Sequence, residues 1–208
     1  IAAQLEEGIE STCDMPCLIA ATSSEALSLA SRYSDQLPLA ILDTSLPGIT
    51  ESLFYEIAEQ RIPTLLLTDN EASASCALSP TIIDTVLKSS DLVANVIEVV
   101  QRLHQNKKTE VLIVESSASV RHYLSYIVSN YMLNPRTARS GKEAQALLEQ
   151  SNFPLILIDA HLSDMTGVEL TRLIRKNHPP EHTSIIGISG NSDLHISAMF
   201  LKSGASDF

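Results

Sequence analysis

Two aspartates stand where sheet proteins concentrate their chemistry. Asp43 ends the apolar run Leu39-Ala40-Ile41-Leu42, and Asp159 ends Leu155-Ile156-Leu157-Ile158. In an open parallel sheet, ligands collect at the carboxyl ends of strands, where the loops diverge. A carboxylate placed there can attack an electrophile or help to bind a cation, provided the charge gathered at the site is neutralised. The plainer alternative is a turn former or helix cap closing a strand. The same placement in both halves of the chain favours function. Hydroxyl groups end two further apolar runs, Thr68 after Thr64-Leu65-Leu66-Leu67 and Ser189 after Ser184-Ile185-Ile186-Gly187-Ile188, and an amine, Lys88, follows later in the first half.

The elements that must position these groups are short apolar runs alternating with helical patterns, the sign of strand-helix-strand units and a mostly parallel sheet. In the second half, Val111-Leu112-Ile113-Val114 reads as a buried strand, and Val120, Leu124, Ile127, Val128 and Tyr131 then recur at helical spacing. Ser140-Gly141-Lys142-Glu143 opens the next helix with Ser140 as its cap, and Leu170, Leu173 and Ile174 mark a third. The first half repeats the plan: Leu39 to Asp43 answers Leu155 to Asp159, Ser23-Ser24-Glu25 answers the helix start at Ser140, and the strand ending at Thr68 answers the one ending at Ser189. The expected fold is α/β, with two flavodoxin-like (βα)5 doubly wound parallel-sheet domains in tandem, each incomplete at one end. Their bounds are 1–105, with the chain already in the helix that follows a first strand, and 110–208, stopping where a last strand begins. Residues 106–109 form a polar linker. Ahead of it Leu92, Val93, Val96, Ile97, Val99, Val100 and Leu103 form a broad apolar stripe, which either packs on its own sheet or meets a neighbouring domain or second chain.

The 208 residues are 44% hydrophobic and 19% charged, with no apolar run approaching the roughly 18 residues of a membrane span. A net charge of −11 with scattered basic residues disfavours direct contact with nucleic acid or anionic lipid. Three cysteines, Cys13, Cys17 and Cys76, form neither a disulfide set nor paired zinc spacing, which suits reduced thiols in the cytoplasm; Cys17 also opens a strand-like apolar run. Ser140-Gly141-Lys142 lacks the earlier glycine of a phosphate-binding loop. No Gly-x-Ser-x-Gly elbow exposes a serine nucleophile, and His104, His122, His161, His178, His182 and His195 share no metal-ligand spacing on one helix.

The ordered set of strand-acid, strand-Asp, strand-Thr/Ser and strand-Lys resembles the response-regulator receiver family. Val111-Leu112-Ile113-Val114-Glu115-Ser116-Ser117 with Val120-Arg121 resembles its first strand and acidic loop. Asp159-Ala160-His161-Leu162-Ser163-Asp164-Met165-Thr166-Gly167 resembles its phosphoacceptor loop, and Asp43-Thr44-Ser45-Leu46-Pro47-Gly48 is closer still in keeping the Leu-Pro pair. The resemblance implies that Asp43 or Asp159 accepts a phosphoryl group. It also implies magnesium held by the acceptor Asp43 or Asp159, an acid such as Glu115 and the backbone carbonyl of Ser45 or His161. Thr68 or Ser189 would bond one phosphate oxygen and Lys88 another. Phe208 and Thr85 take the place of the family's switch aromatic.

Several positions depart from the pattern. Ser116 replaces the carboxylate expected to ligate the metal directly, which weakens magnesium binding in the second domain, and Thr85 and Ser89 replace the aromatic and a proline in the first. The function implied is that of a two-component, phosphorelay response regulator fragment. A sensor histidine kinase or phosphotransfer protein would supply the phosphoryl group, a homodimer is one form open to it, and an effector would lie outside the fragment. By analogy that effector could be a diguanylate cyclase bearing a Gly-Gly-Asp-Glu-Phe segment. The alternative is a degenerate pseudo-receiver pair serving as a phosphate-independent dimerisation or docking scaffold.

Overall fold

The computed structural model describes residues 1–208 except 47, 49–50, 70–80 and 191–193, and the side chains of 51 and 52. Pro47 and Cys76 lie outside the described residues. The chain divides into two compact units, one of Ile1–Asn106 with Asn130–Met132, the other of Lys107–Ser129 with Leu133–Phe208.

The first unit holds a parallel sheet of β1 (Ala40–Asp43), β2 (Thr64–Thr68) and β3 (Ile82–Leu87), in that order. Around it run α1 (Ala2–Cys13), α2 (Ser23–Tyr33), α3 (Glu51–Glu59) and α4 (Leu92–Asn106). Side chains alternate across a pleated strand, and the core divides accordingly. Leu65 and Leu67 pack with Leu5, Ile9, Leu92, Val96 and Val100 of α1 and α4 on one face. Leu42 and Leu66 pack with Ala30, Leu53 and Ile57 of α2 and α3 on the other. The apolar stripe of α4 thus covers its own sheet and α1.

The second unit orders its strands β5-β4-β6-β7, all parallel: β4 (Glu110–Val114), β5 (Asn134–Ala138), β6 (Leu155–Asp159) and β7 (Ser184–Ile188). Its helices are α5 (Ala118–Asn130), α6 (Gly141–Leu148), α7 (Gly167–Arg175) and α8 (Leu194–Lys202). Leu112, Val114, Ile156, Ile158 and Ile185 face Ala144, Val168, Leu170, Ile174 and Phe200, while Val111 and Ile113 face Val128 of α5. Both units are flavodoxin-like, with parallel strands sandwiched by helices. In the second, strand order reverses at β4, so a crevice opens at the carboxyl ends of β4 and β6.

Two local expectations are corrected, at Cys17 and at Ser23, and one strand carries no apolar signal in the sequence. The run Cys17-Leu18-Ile19-Ala20 forms no strand, and Leu18 and Ile19 are 54% and 45% exposed. Apolar character does not make a strand without a neighbour to pair with, and no described strand pairs with this run. Conversely, β5 reads as polar in Asn134-Pro135-Arg136-Thr137-Ala138, yet it pairs with β4 residue for residue. It is an edge strand, where a half-exposed polar face and a proline without an N–H are tolerated. Finally, the helix cap answering Ser140 is Thr22 rather than Ser23. Thr22 accepts from the Glu25 N–H as Ser140 accepts from the Glu143 N–H, so the two caps are equivalent.

Candidate functional site

The internal repeat extends to the register of the site. Asp43 lies opposite Leu67 and Asp159 opposite Ile188, so Thr68 and Ser189 each stand one residue beyond the partner of the aspartate. The same backbone bond locks each arrangement: Thr44 N–H donates to the Leu67 carbonyl and Ala160 N–H to that of Ile188, both at 2.9 Å.

In the first unit the side chains meet directly. Lys88 N–H donates to the Thr68 carbonyl at 2.8 Å, which brings the end of β3 alongside β2. Its Nζ then lies 2.5 Å from Asp43 Oδ1, 2.8 Å from Ser45 Oγ and 3.3 Å from Asp69 Oδ2. Asp43 Oδ1 also accepts the Ser45 N–H at 2.8 Å, and Ser45 Oγ donates to Asp69 Oδ2 at 2.9 Å. Thr68 is fully buried. Partial burial opposes the Lys88 charge, but hydrogen bonds and charge from Asp43 and Asp69 outweigh it and raise the lysine above its ordinary range. The Ser45 hydroxyl and then Lys88 hold the Asp69 carboxyl below the usual range. Asp43, Ser45, Thr68 and Lys88 are thereby brought together, while Asp69, unremarked in the sequence, joins them because it directly follows Thr68.

In the second unit Glu115, Asp159 and Ser189 stand at the carboxyl ends of β4, β6 and β7, with His161 exposed two residues beyond Asp159. Glu115 is buried, and its Oε1 accepts the Ser117 N–H at 2.7 Å. Arg121 Nη1 donates to the Glu115 and Ser116 carbonyls at 2.6 and 3.1 Å, fixing the acidic loop. The Ser116 hydroxyl turns to the Arg139 carbonyl at 3.3 Å. With Val114 opposite Ile158, Glu115 and Asp159 follow on neighbouring strands, and their carboxylates and the His161 carbonyl are oxygen donors, the kind a hard divalent cation prefers. The residues present therefore fit magnesium, with Ser116 contributing no charge.

The loop after Asp159 is tied down at two points. Asp164 accepts the Gly141 and Lys142 N–H groups at 2.8 and 2.9 Å, which join the loop to the start of α6 and lower the Asp164 carboxyl. Thr166 and Glu169 form a capping box on α7, and the Thr166 backbone and hydroxyl lower the Glu169 carboxyl. A Cβ on Gly167 would fall 2.3 Å from the Asp159 carbonyl oxygen, so only glycine allows α7 to start against the end of β6. Phe208 stacks obliquely on Phe200, ring centroids 5.3 Å apart.

Residues 111–208 match the response regulator receiver domain family. The response regulator protein PilR of Pseudomonas aeruginosa is 36% identical over 101 residues, which make up 49% of this chain and 22% of that protein. The CAI-1 autoinducer sensor kinase/phosphatase CqsS of Vibrio cholerae is 29% identical over 115 residues, 55% of this chain and 16% of that one. The chain spans about a fifth of the length of these curated relatives. A solved two-component system response regulator/GGDEF domain protein matches with a TM-score of 0.69 at 28% identity, over 99% of this chain and 85% of that one. Receiver domains generally bind Mg2+ at the phosphorylation site, and the oxygen donors at the ends of β4 and β6 accord with that. Residues 111–208 thus match the response regulator receiver domain family, and the whole chain is similar to a solved two-component system response regulator/GGDEF domain protein.

Proposed function

We propose that this chain is the tandem-receiver portion of a phosphorelay response regulator in the cytoplasm, taking a phosphoryl group from a histidine kinase or phosphotransfer protein on Asp43. The observation that carries the choice of Asp43 is the 2.5 Å contact from Lys88, whose own N–H bonds the carbonyl of the buried Thr68. An Asp43 oxygen attacks the phosphorus of a phosphohistidine, the P–N bond breaks, and the imidazole nitrogen leaves and takes up a proton. Lys88, already paired with Asp43, passes to a phosphoryl oxygen, where its charge counts for more than on a single carboxylate. Thr68 bonds another oxygen.

Asp159 is the second candidate acceptor, with Ser189 as its hydroxyl and Asp159, Glu115 and the His161 carbonyl as the residues that would hold magnesium. In the first unit Asp43 and the Ser45 carbonyl would do so. Bound magnesium would neutralise charge on the transferring group. The effector lies outside these residues, and a GGDEF domain is the proposal, on the likeness to the response regulator/GGDEF protein. A second reading, a phosphate-independent docking or dimerisation scaffold, draws support from the Ser116 hydroxyl turned onto the Arg139 carbonyl.

Intact-mass measurement on the full-length protein separates the two. With acetyl phosphate and magnesium the acceptor reading gives a single phosphoryl adduct that is lost when the metal is chelated; the scaffold reading gives none.

A further inference from the structure

We infer that Asp69 is a built-in competitor for the phosphoryl group at the first unit's site, holding Lys88 and Ser45 until a phosphoryl group displaces it. This rests on the reading of Asp43 as an acceptor. An ammonium group has three protons to donate. All three of Lys88 have an acceptor within reach, namely Asp43 Oδ1, Ser45 Oγ and Asp69 Oδ2. A phosphoryl oxygen on Asp43 must therefore replace one of them, and the Asp69 contact, at 3.3 Å, is the longest. Asp69 also takes the Ser45 hydroxyl proton at 2.9 Å, so it offers this loop the acceptor chemistry that a phosphoryl oxygen would offer.

The second unit supplies the contrast. The position after Ser189 is Gly190, and a Cβ built there meets nothing within 4 Å among the described residues. Where one unit leaves room beside its strand-end hydroxyl, the other places a carboxylate. Beside an arriving phosphoryl group of like charge, Asp69 both withholds the lysine and repels the newcomer. It sets a threshold: uptake at Asp43 waits on Asp69 leaving Lys88. Because the Asp69 side chain is 64% exposed, the restraint is modest and open to screening by salt.

The test is the rate of phosphoryl uptake from acetyl phosphate with magnesium, followed by intact mass in the full-length protein carrying Asp159→Asn. Asp69→Asn removes the charge while nearly keeping the shape, and Asp69→Gly copies the second unit. Both are expected to accelerate uptake about two- to fivefold at low ionic strength, the range an exposed ion pair commands. The gain should shrink as salt is added, a dependence that a purely structural role for Asp69 would not produce. Uptake that is unchanged or slower in both variants overturns the inference while leaving Asp43 an acceptor. No adduct in any variant overturns it together with the acceptor reading of Asp43, and an adduct found only when Asp159 is restored transfers that reading to the second unit.

Discussion

A phosphoryl group on Asp43 can be felt elsewhere only if a neighbouring group follows it, and Thr68 is the group placed to do so. It stands one residue past the strand partner of Asp43 and is fully buried, so a hydroxyl that turns toward phosphate repacks what lies around it. Thr68→Ala should therefore leave the adduct on Asp43 but abolish its effect on amide hydrogen exchange in the first unit; an unchanged exchange response would remove Thr68 from that role. In the second unit, Gly167→Ala would drive a methyl group into the Asp159 carbonyl. We expect a loss of about 1–3 kcal/mol, read as a lower urea midpoint, because backbone on both sides resists the shift. Asp43, Thr68 and Lys88 were legible in the sequence because two of them close apolar runs and the third keeps the spacing of a known family. Asp69 was not: directly after a strand an aspartate reads as a loop residue, and only the registers of β2 against β1 and β3 carry it to Ser45 and Lys88.

At the scale of elements, the loop behind Asp159 is held by charged caps whose strength depends on pH. Asp164 and Glu169 both have carboxyls lowered by backbone N–H donors, so their folded values lie below the unfolded ones. Their stabilisation is present above the ordinary carboxylate range near about pH 4 and is lost as pH falls through the lower folded values. Asp164→Asn should flatten that part of the acid limb in a plot of denaturant midpoint against pH, and an unaltered limb would mean the two N–H bonds contribute nothing. Thr166→Ala should cost about 1 kcal/mol at neutral pH, the usual worth of a helix cap. The Thr-x-x-Glu signature was present in the sequence, as was the cap at Ser140. What misled was hydrophobicity taken as a proxy for strand pairing: Cys17 to Ala20 looks like a strand and has no described partner, while polar β5 has one all along its length. Pairing is a property of neighbours, and a local pattern holds no record of them.

For the whole molecule, the fold was legible because it is written twice. Two copies of strand, acid and hydroxyl in the same order gave the parallel sheets, and the registers of Asp43 on Leu67 and Asp159 on Ile188 repeat that order in three dimensions. The units have nonetheless diverged in complementary ways. One shows the lysine in contact with its aspartate and adds a carboxylate beside it; the other turns the Ser116 hydroxyl onto the Arg139 carbonyl and, among the described residues, has nothing within 4 Å of a Cβ at Gly190. On the proposed function, Asp43 would be the acceptor, and the second unit, with Ser116 in its acidic loop, would bind magnesium more weakly. The most direct measurement is intact mass of the full-length protein after acetyl phosphate and magnesium, compared with its Asp43→Asn and Asp159→Asn variants. An adduct that disappears with Asp43→Asn and survives Asp159→Asn is the expected result; one that survives Asp43→Asn and disappears with Asp159→Asn would contradict the assignment of the acceptor.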